Sequence, residues 1–117
     1  MRPPQTVLRW KQRYQTLQDR LQNVGLLLVG TITRRFDRRP DPHAPGQFKT
    51  HGPYYQWTFK DRGKTQTVNL TAAQARLFGQ AIRNHRALEK TLLEMRTLSR
   101  KILHETTEGV PKRTRRK

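Results

Sequence analysis

The order of apolar and polar positions divides the chain into a helix, a β-rich middle and a second, longer helix. From Val7 to Val24, six apolar side chains recur at alternating three- and four-residue steps. This spacing places them on one narrow seam and predicts a helix over residues 5–24 that packs lengthwise on another helix. Thr6 is a candidate cap at its start, and Gly25 ends it.

The segment after this helix predicts one strand and a long loop. Residues 26–36, "LLLVGTITRRF", are rich in β-branched side chains and predict a strand that Gly30 weakens. Residues 37–53 contain four prolines and two glycines and predict a loop. A loop of this length in a small domain is typically functional or disordered.

Two further strands are predicted over residues 54–59 and 64–70, joined by a hairpin turn in which Gly63 supplies the positive φ. Alternation along the first of them puts Tyr55, Trp57 and Phe59 on one face. Because the helices need an apolar surface to cover, this row is predicted to be core rather than a base-stacking surface.

Thr71 and Gln74 have the spacing of a capping box, which predicts the start of a helical segment that continues to about His104. One long helix and two helices with a break near Asn84 both fit the pattern. The predicted fold is therefore α+β: an N-terminal helix, a small three-stranded antiparallel sheet packed on the paired helices, and a long C-terminal helix or helical hairpin. We predict one domain over residues 1–107 and a disordered basic tail over residues 108–117.

The net charge of the chain indicates which class of partner it binds. The 117 residues include 25 Lys and Arg against 8 Asp and Glu, a formal net charge of +17. Such an imbalance causes self-repulsion unless a polyanion is nearby, which favours nucleic acid as the partner. An anionic membrane surface and solubility in a crowded cell are the rival interpretations. The longest apolar run, Leu26–Val29, is too short to cross a bilayer, and the N-terminus lacks the apolar segment of a secretory signal.

The chain has no cysteine, so a disulfide framework and a thiolate zinc site are excluded. We predict a cytoplasmic protein with no membrane partner.

The arginines of "TRRFDRR" form one cluster at the end of the predicted strand and the mouth of the predicted loop. They are the strongest candidates for phosphate contact, because guanidinium groups bind phosphate bidentately and also stack on bases. Their alternative role is to keep a solvated sheet edge from aggregating.

Tyr54, on the face opposite the apolar row and beside Lys60, is a candidate for stacking on a base or ribose. The basic residues at the tip of the predicted hairpin either contact a nucleic-acid groove or backbone, or form an ordinary polar turn. The basic tail is expected to add affinity for nucleic acid without sequence preference. The predicted nucleic-acid-binding residues are Arg34, Arg35, Arg38, Arg39, Tyr54, Lys60, Arg62, Lys64, Lys112, Arg113, Arg115, Arg116 and Lys117.

Catalytic and metal-binding patterns are weak. His43 and His51, with Asp37 and Asp41 nearby, match no strong ligand spacing, although a metal-dependent enzyme would need an ion there. A Gly-rich phosphate loop, a nucleophile elbow and an HExxH motif are all missing. We therefore predict a non-enzymatic protein without a metal or cofactor.

The stretch "HGPYYQWTFKDRGKTQTVNLTAAQARLFGQAIRNHRALEKTLLEM" resembles a family of short, basic prokaryotic proteins of unknown function, often associated with mobile elements and transposases. The resemblance extends over roughly residues 25–105 and implies a similar order of helix, hairpin and C-terminal helices. The matching positions are His51, Gly52, Pro53, Tyr54, Tyr55, Gly63, Lys64, Thr65, Asn84, Arg86, Leu88 and Glu89.

Relatives often carry a cysteine cluster, resembling a small metal knuckle, just before the His-Gly-Pro-Tyr-Tyr segment. This chain has "RRFDRRPDPHAPGQFKT" there instead. The functional hypothesis is non-enzymatic binding of DNA or RNA, as an accessory subunit of a mobile-element or other ribonucleoprotein complex. The alternative is a structural protein-interaction module that docks onto a larger protein through its heptad helices, if the seam of the N-terminal helix is unpartnered within the chain.

Overall fold

The structure is a computed structural model that describes residues 4–111. Helix α1 spans Pro4–Arg20 and continues as a 3-10 turn over Leu21–Asn23. Three strands follow, and then a single helix; their bounds are β1 Thr31–Pro40, β2 Phe48–Asp61, β3 Lys64–Leu70 and α2 Ala72–Thr106. The α+β prediction is confirmed, and the C-terminal segment is one continuous helix.

Packing divides the chain into two compact units. The helical unit comprises the residues up to Val24 and those from Ala87 onward, and the sheet unit comprises Gly25–Arg86. Helix α2 contributes its first part to the sheet unit and its second part to the helical unit.

The helical unit has a small apolar core on the predicted seam. Leu17 is 0% exposed and packs with Met95 and Leu98 of α2, and Trp10, Tyr14 and Leu21 pack partly buried against them. The prediction that this seam packs on another helix is thereby confirmed. Leu17 is buried, and the other five residues of the seam are partly buried.

The sheet unit is built on the predicted aromatic row. The sheet has the order β1-β2-β3 with both pairs antiparallel. The rings of Trp57 and Phe59 stack at 3.9 Å between centroids, and Phe78 of α2 meets Trp57 edge-on at 5.4 Å. Trp57 Nε1 also donates a hydrogen bond of 2.8 Å to the carbonyl of Val29. Tyr55, Trp57 and Phe59 are all partly buried, and the contacts of Trp57 and Phe59 place these two in the packed side of the sheet.

The first strand begins later than predicted, at Thr31 rather than Leu26. Residues 24–29 form no regular element, because their backbone bonds to helix α2: Leu28 N–H donates to the Ala81 carbonyl at 3.1 Å. Gly30 then brings the chain against β2 with a φ of +112°, and a Cβ there would lie 2.4 Å from the Thr58 carbonyl oxygen. Such a position excludes any larger residue.

The prediction of a long loop over residues 37–53 is wrong. Strand β1 runs to Pro40 and β2 begins at Phe48, so only residues 41–47 connect them. The connection is closed by a hydrogen bond of 2.9 Å from Asp41 N–H to the Gln47 carbonyl. The prolines are tolerated because Pro40 is the last residue of β1 and Pro53 lies where the strand register shifts.

Both predicted local signals around β3 are confirmed. Gly63 has a φ of +79° and Arg62 a φ of +52°, as a tight two-residue hairpin turn requires. At the start of α2, the Gln74 N–H donates to Thr71 Oγ1 at 3.1 Å, and the Thr71 N–H donates to Gln74 Oε1 at 2.9 Å. These reciprocal bonds form the capping box.

Candidate nucleic-acid interface

Strands β1 and β2 extend beyond β3 as a two-stranded ribbon. Strand β3 ends at Leu70, which pairs with Tyr55, whereas β1 and β2 remain paired from Arg35 and Tyr54 out to Pro40 and Phe48. We call residues 34–55, which are this ribbon and the last pair of residues that it shares with β3, the β-arm. Most of its side chains are exposed, so the β-arm presents two separate surfaces.

A bulge near the base of the β-arm keeps these surfaces distinct. Arg35 pairs with Tyr54 and Asp37 pairs with His51, so β2 carries one residue more than β1 over this interval. The extra residue on β2 absorbs the irregularity. Odd-numbered residues of β1 therefore stay on one face from Thr31 to Arg39.

Strand alternation divides the predicted arginine cluster into two pairs. Arg35 and Arg39 lie on the odd-numbered side, which we call the polar face, together with Asp37. Arg34 and Arg38 lie on the opposite side. The four arginines were expected at a strand end and loop mouth as one group. That expectation is wrong, because all four lie within β1.

On the polar face the two arginines share one carboxylate. Asp37 Oδ1 lies 3.3 Å from Arg35 Nη2, and Asp37 Oδ2 lies 3.3 Å from Arg39 Nη2. Towards the tip, Lys49 Nζ lies 4.0 Å from Asp41 Oδ2. The positive charge of this face is therefore partly neutralised by residues of the β-arm itself.

On the other side, which we call the aromatic face, the two arginines lie over phenylalanine rings. Arg34 Cζ is 5.3 Å from the centroid of Phe36, and Arg38 Cζ is 5.3 Å from that of Phe48. Phe36 and Phe48 are 52% and 57% exposed as whole residues. Neither arginine forms an ion pair with any residue between 4 and 111. A stacked guanidinium keeps its in-plane N–H donors available for a phosphate or a base.

A notch opens on the sheet where β3 ends. It is a cavity of about 510 Å³ whose lining includes Arg35, Arg39, Tyr54 and the first residue of α2, Ala72. Tyr54 is 40% exposed. The same lining contains two amide side chains on neighbouring strands, Gln56 and Asn69, joined by a hydrogen bond of 3.1 Å.

The other predicted contacts do not belong to this region. Lys60, Arg62 and Lys64 are exposed at the β2–β3 hairpin, at the opposite end of β2 from the arm. Tyr54 shares a face with Lys60, as expected, but six residues of strand separate them by about 20 Å. The predicted tail contacts Lys112, Arg113, Arg115, Arg116 and Lys117 lie outside the described residues.

The loop histidines do not form a metal cluster. Within residues 4–111, no three His, Cys, Asp or Glu side chains come together in a way that could hold an ion. His51 lies across from Asp37 in the ribbon, and the backbone N–H of His43 donates to Asp41 Oδ1 at 2.9 Å. Over the same residues, every helix is too short or too polar to cross a membrane.

Phe36, Phe48, Gln56 and Asn69 are site residues that the sequence alone did not predict. Phe36 follows Arg34 by two positions, which is a same-face spacing in a strand and a usable signal. The partnership of Arg38 with Phe48 and that of Gln56 with Asn69 depend on cross-strand register, which the sequence alone left open.

Comparisons of the chain with protein-family models, with curated proteins and with solved structures found no match.

Proposed function

We propose that the chain is a non-enzymatic nucleic-acid-binding protein that contacts phosphates and bases through the β-arm. The observation that carries this proposal is the aromatic face, where Arg34 and Arg38 stack on exposed phenylalanines and have no acidic partner within residues 4–111. An arginine binds a phosphate more strongly when no neighbouring carboxylate competes for its N–H donors.

The shape of the β-arm supports the same proposal. A two-stranded ribbon fits a major groove, and exposed aromatic rings beside arginines also suit an unpaired strand. The surrounding chain has a formal net charge of +17, which adds a long-range attraction for any polyanion. Lys60, Arg62, Lys64 and the basic tail would contribute further phosphate contacts.

The biological setting is a separate part of the proposal. The resemblance around His51–Tyr55 supports an accessory role in a cytoplasmic mobile-element or ribonucleoprotein complex. Sequencing of nucleic acid crosslinked to the protein in cells tests it. Enrichment of mobile-element DNA or its transcripts is expected, and recovery of bulk nucleic acid without enrichment would contradict this role.

Binding is tested by measuring the affinity for labelled duplex DNA, single-stranded DNA and RNA over a range of salt concentrations. For the wild-type protein, log K should fall linearly with log salt, with a slope of about −0.7 to −0.9 per phosphate contact. The test variant changes the four β1 arginines to glutamate: Arg34→Glu, Arg35→Glu, Arg38→Glu and Arg39→Glu.

A matched control has the same change of charge on exposed positions of the helical unit: Arg9→Glu, Lys11→Glu, Arg96→Glu and Arg100→Glu. The test variant should lose affinity by at least about a hundredfold and the control by much less, because direct contacts outweigh the overall field. Equal losses would contradict binding through the β-arm. Affinity that does not depend on salt would contradict the function itself.

A further inference from the structure

We propose that the notch at the end of β3 binds one unstacked nucleotide, so that the protein prefers single-stranded nucleic acid to duplex. This inference rests on the proposed function and adds the class of nucleic acid. The notch lies on the polar face, away from the arginine–phenylalanine pairs of the aromatic face, and its chemistry differs from theirs.

The notch exists because one strand of the sheet stops early. Strand β3 ends at Leu70 opposite Tyr55, while β2 continues through Tyr54 into the β-arm. The missing third strand leaves a cavity of about 510 Å³, which lies within the range of volumes that hold small ligands. A single nucleotide fits in such a space, whereas a stacked base pair of a duplex does not enter it.

Tyr54 supplies an aromatic surface for a base. Tyr54 is 40% exposed and lines the cavity, and its cross-strand partner on β1 is Arg35. The core rings Trp57 and Phe59 lie on the other face of the sheet and stack on each other. Tyr54 is therefore not needed to build the core, and its ring is available to stack on a base.

The two amides supply a means of reading the edge of that base. Gln56 Nε2 donates to Asn69 Oδ1 at 3.1 Å, which leaves Gln56 Oε1 and Asn69 Nδ2 with no partner among the described residues. Rotating both amides by half a turn would still leave one donor and one acceptor. An adjacent donor and acceptor match the polar edge of an unpaired base.

The same cavity contains groups suited to a phosphate. Arg35 and Arg39 line it and are held in place by Asp37, so that each keeps further N–H donors for an anion. The first turn of α2, which contains no acidic residue, forms part of the wall. The positive end of the helix dipole adds to the attraction for a phosphate.

These features together require an unpaired nucleotide. In a duplex the faces of each base are covered by its neighbours and the pairing edge is occupied, so neither Tyr54 nor the amide pair could reach them. An unpaired strand offers the base face, the base edge and the phosphate at once. The aromatic face would hold the adjoining backbone by its arginines.

The test compares a single-stranded oligonucleotide with one of equal length and charge that lacks its bases. The wild-type protein should bind the strand with bases about tenfold more tightly, as the stacking of one base gives. Tyr54→Ala should remove this difference without affecting the abasic strand, and Tyr54→Phe should retain it. Equal affinity of the wild-type protein for the two strands would overturn the proposal.

A second pair of variants keeps the test independent of Tyr54. Gln56→Ala and Asn69→Ala should reduce discrimination among homopolymers of the four bases while leaving the abasic affinity unchanged, with circular dichroism to verify folding. Unchanged base discrimination in both folded variants would also overturn the proposal. A free nucleoside monophosphate should compete only at about a hundredfold excess or more, because it lacks the further phosphate contacts of a strand. Competition at equal concentration would overturn the assignment to a strand.

The two proposals fail in different ways. If the notch assignment is wrong but the function is right, duplex and abasic strands still bind with a steep salt dependence and Tyr54→Ala has no effect. If the function is wrong, none of these nucleic acids binds in a salt-dependent manner.

Discussion

The two faces of the β-arm contain the same number of arginines in very different surroundings. On the polar face, Arg35 and Arg39 share the carboxylate of Asp37. On the aromatic face, Arg34 and Arg38 lie over the rings of Phe36 and Phe48 without an ion pair among the described residues. One face therefore presents arginines that are already paired, and the other presents arginines that remain available.

This difference shows that a count of basic residues does not measure a binding surface. The four arginines fall within six positions of the sequence, and the formal charge treats them alike. Strand alternation and one aspartate distinguish them. Affinity should follow the charges that no neighbouring carboxylate offsets rather than the total.

The largest effect on nucleic-acid binding is expected when the arginine pair of each face is removed in a separate variant. Arg34→Gln with Arg38→Gln should lower the salt slope by about two, because each lost arginine–phosphate contact removes about one counterion. Arg35→Gln with Arg39→Gln, which makes the same change of charge, should lower it by less. Salt titrations of both double variants provide the measurement. Equal salt slopes in the two double variants would mean that the two faces do not differ in their phosphate contacts.

A smaller effect, of opposite sign, is expected from Asp37→Asn. This change removes a negative charge and releases Arg35 and Arg39, so affinity for nucleic acid should rise by about threefold to tenfold at low salt. Asp41→Asn is the matched control, since it removes one carboxylate near Lys49 at the tip of the β-arm. Equal gains in the two variants would show that only overall charge matters.

A third prediction concerns the rings beneath the free arginines. Phe36→Leu with Phe48→Leu should reduce affinity by about fivefold to thirtyfold, since a cation–π contact at an exposed site contributes about 0.5–1 kcal/mol and there are two of them. The salt slope should not change, because both arginines remain. Leu93→Ala, at a residue of the helical unit that is 57% exposed, should leave affinity unaltered. An altered slope in the ring variant would contradict this interpretation.

The smallest effect belongs to an ion pair outside the sheet unit. Arg13 Nε donates to Glu94 Oε2 at 2.6 Å, and Arg13 Nη2 donates to Glu94 Oε1 at 3.0 Å. The hydrogen bonds from Arg13 lower the pKa of Glu94 below its ordinary value of 4.5. Partial desolvation opposes this shift, and the positive charges of Arg13, Arg20 and Lys90 favour it.

Because the folded-state pKa is depressed, the pair stabilises the helical unit above the ordinary glutamate pKa and stops doing so as pH falls through the folded value. Glu94→Gln should therefore lower Tm slightly at neutral pH and not at all in strong acid. Thermal melts of both proteins at several pH values measure this difference in Tm. Nucleic-acid affinity at neutral pH is measured as well, for comparison with the β-arm variants. A Tm difference that persists in acid would show that the ion pair is not its cause.

Sequence patterns predicted the elements whose signals are local. The seam around Leu17, the turn at Gly63 and the capping box at Thr71 each depend on residues a few positions apart, and each has the expected structure. The β-arm was missed because its prolines are typical of loops, and their tolerated positions depend on strand register. Arg34 and Arg38 were identified as site residues, but their separation from Arg35 and Arg39 follows from the extension of β1 to Pro40, where the sequence predicted a loop.

Ultraviolet crosslinking of the protein to a single-stranded oligonucleotide, with mass-spectrometric mapping of the modified residues, tests the central claim most directly. We expect adducts at Phe36, Phe48 and Tyr54, and their loss in the variant with glutamate at the four β1 arginines. Adducts confined to α1 and to α2 beyond Ala87, unchanged in that variant, would contradict binding through the β-arm.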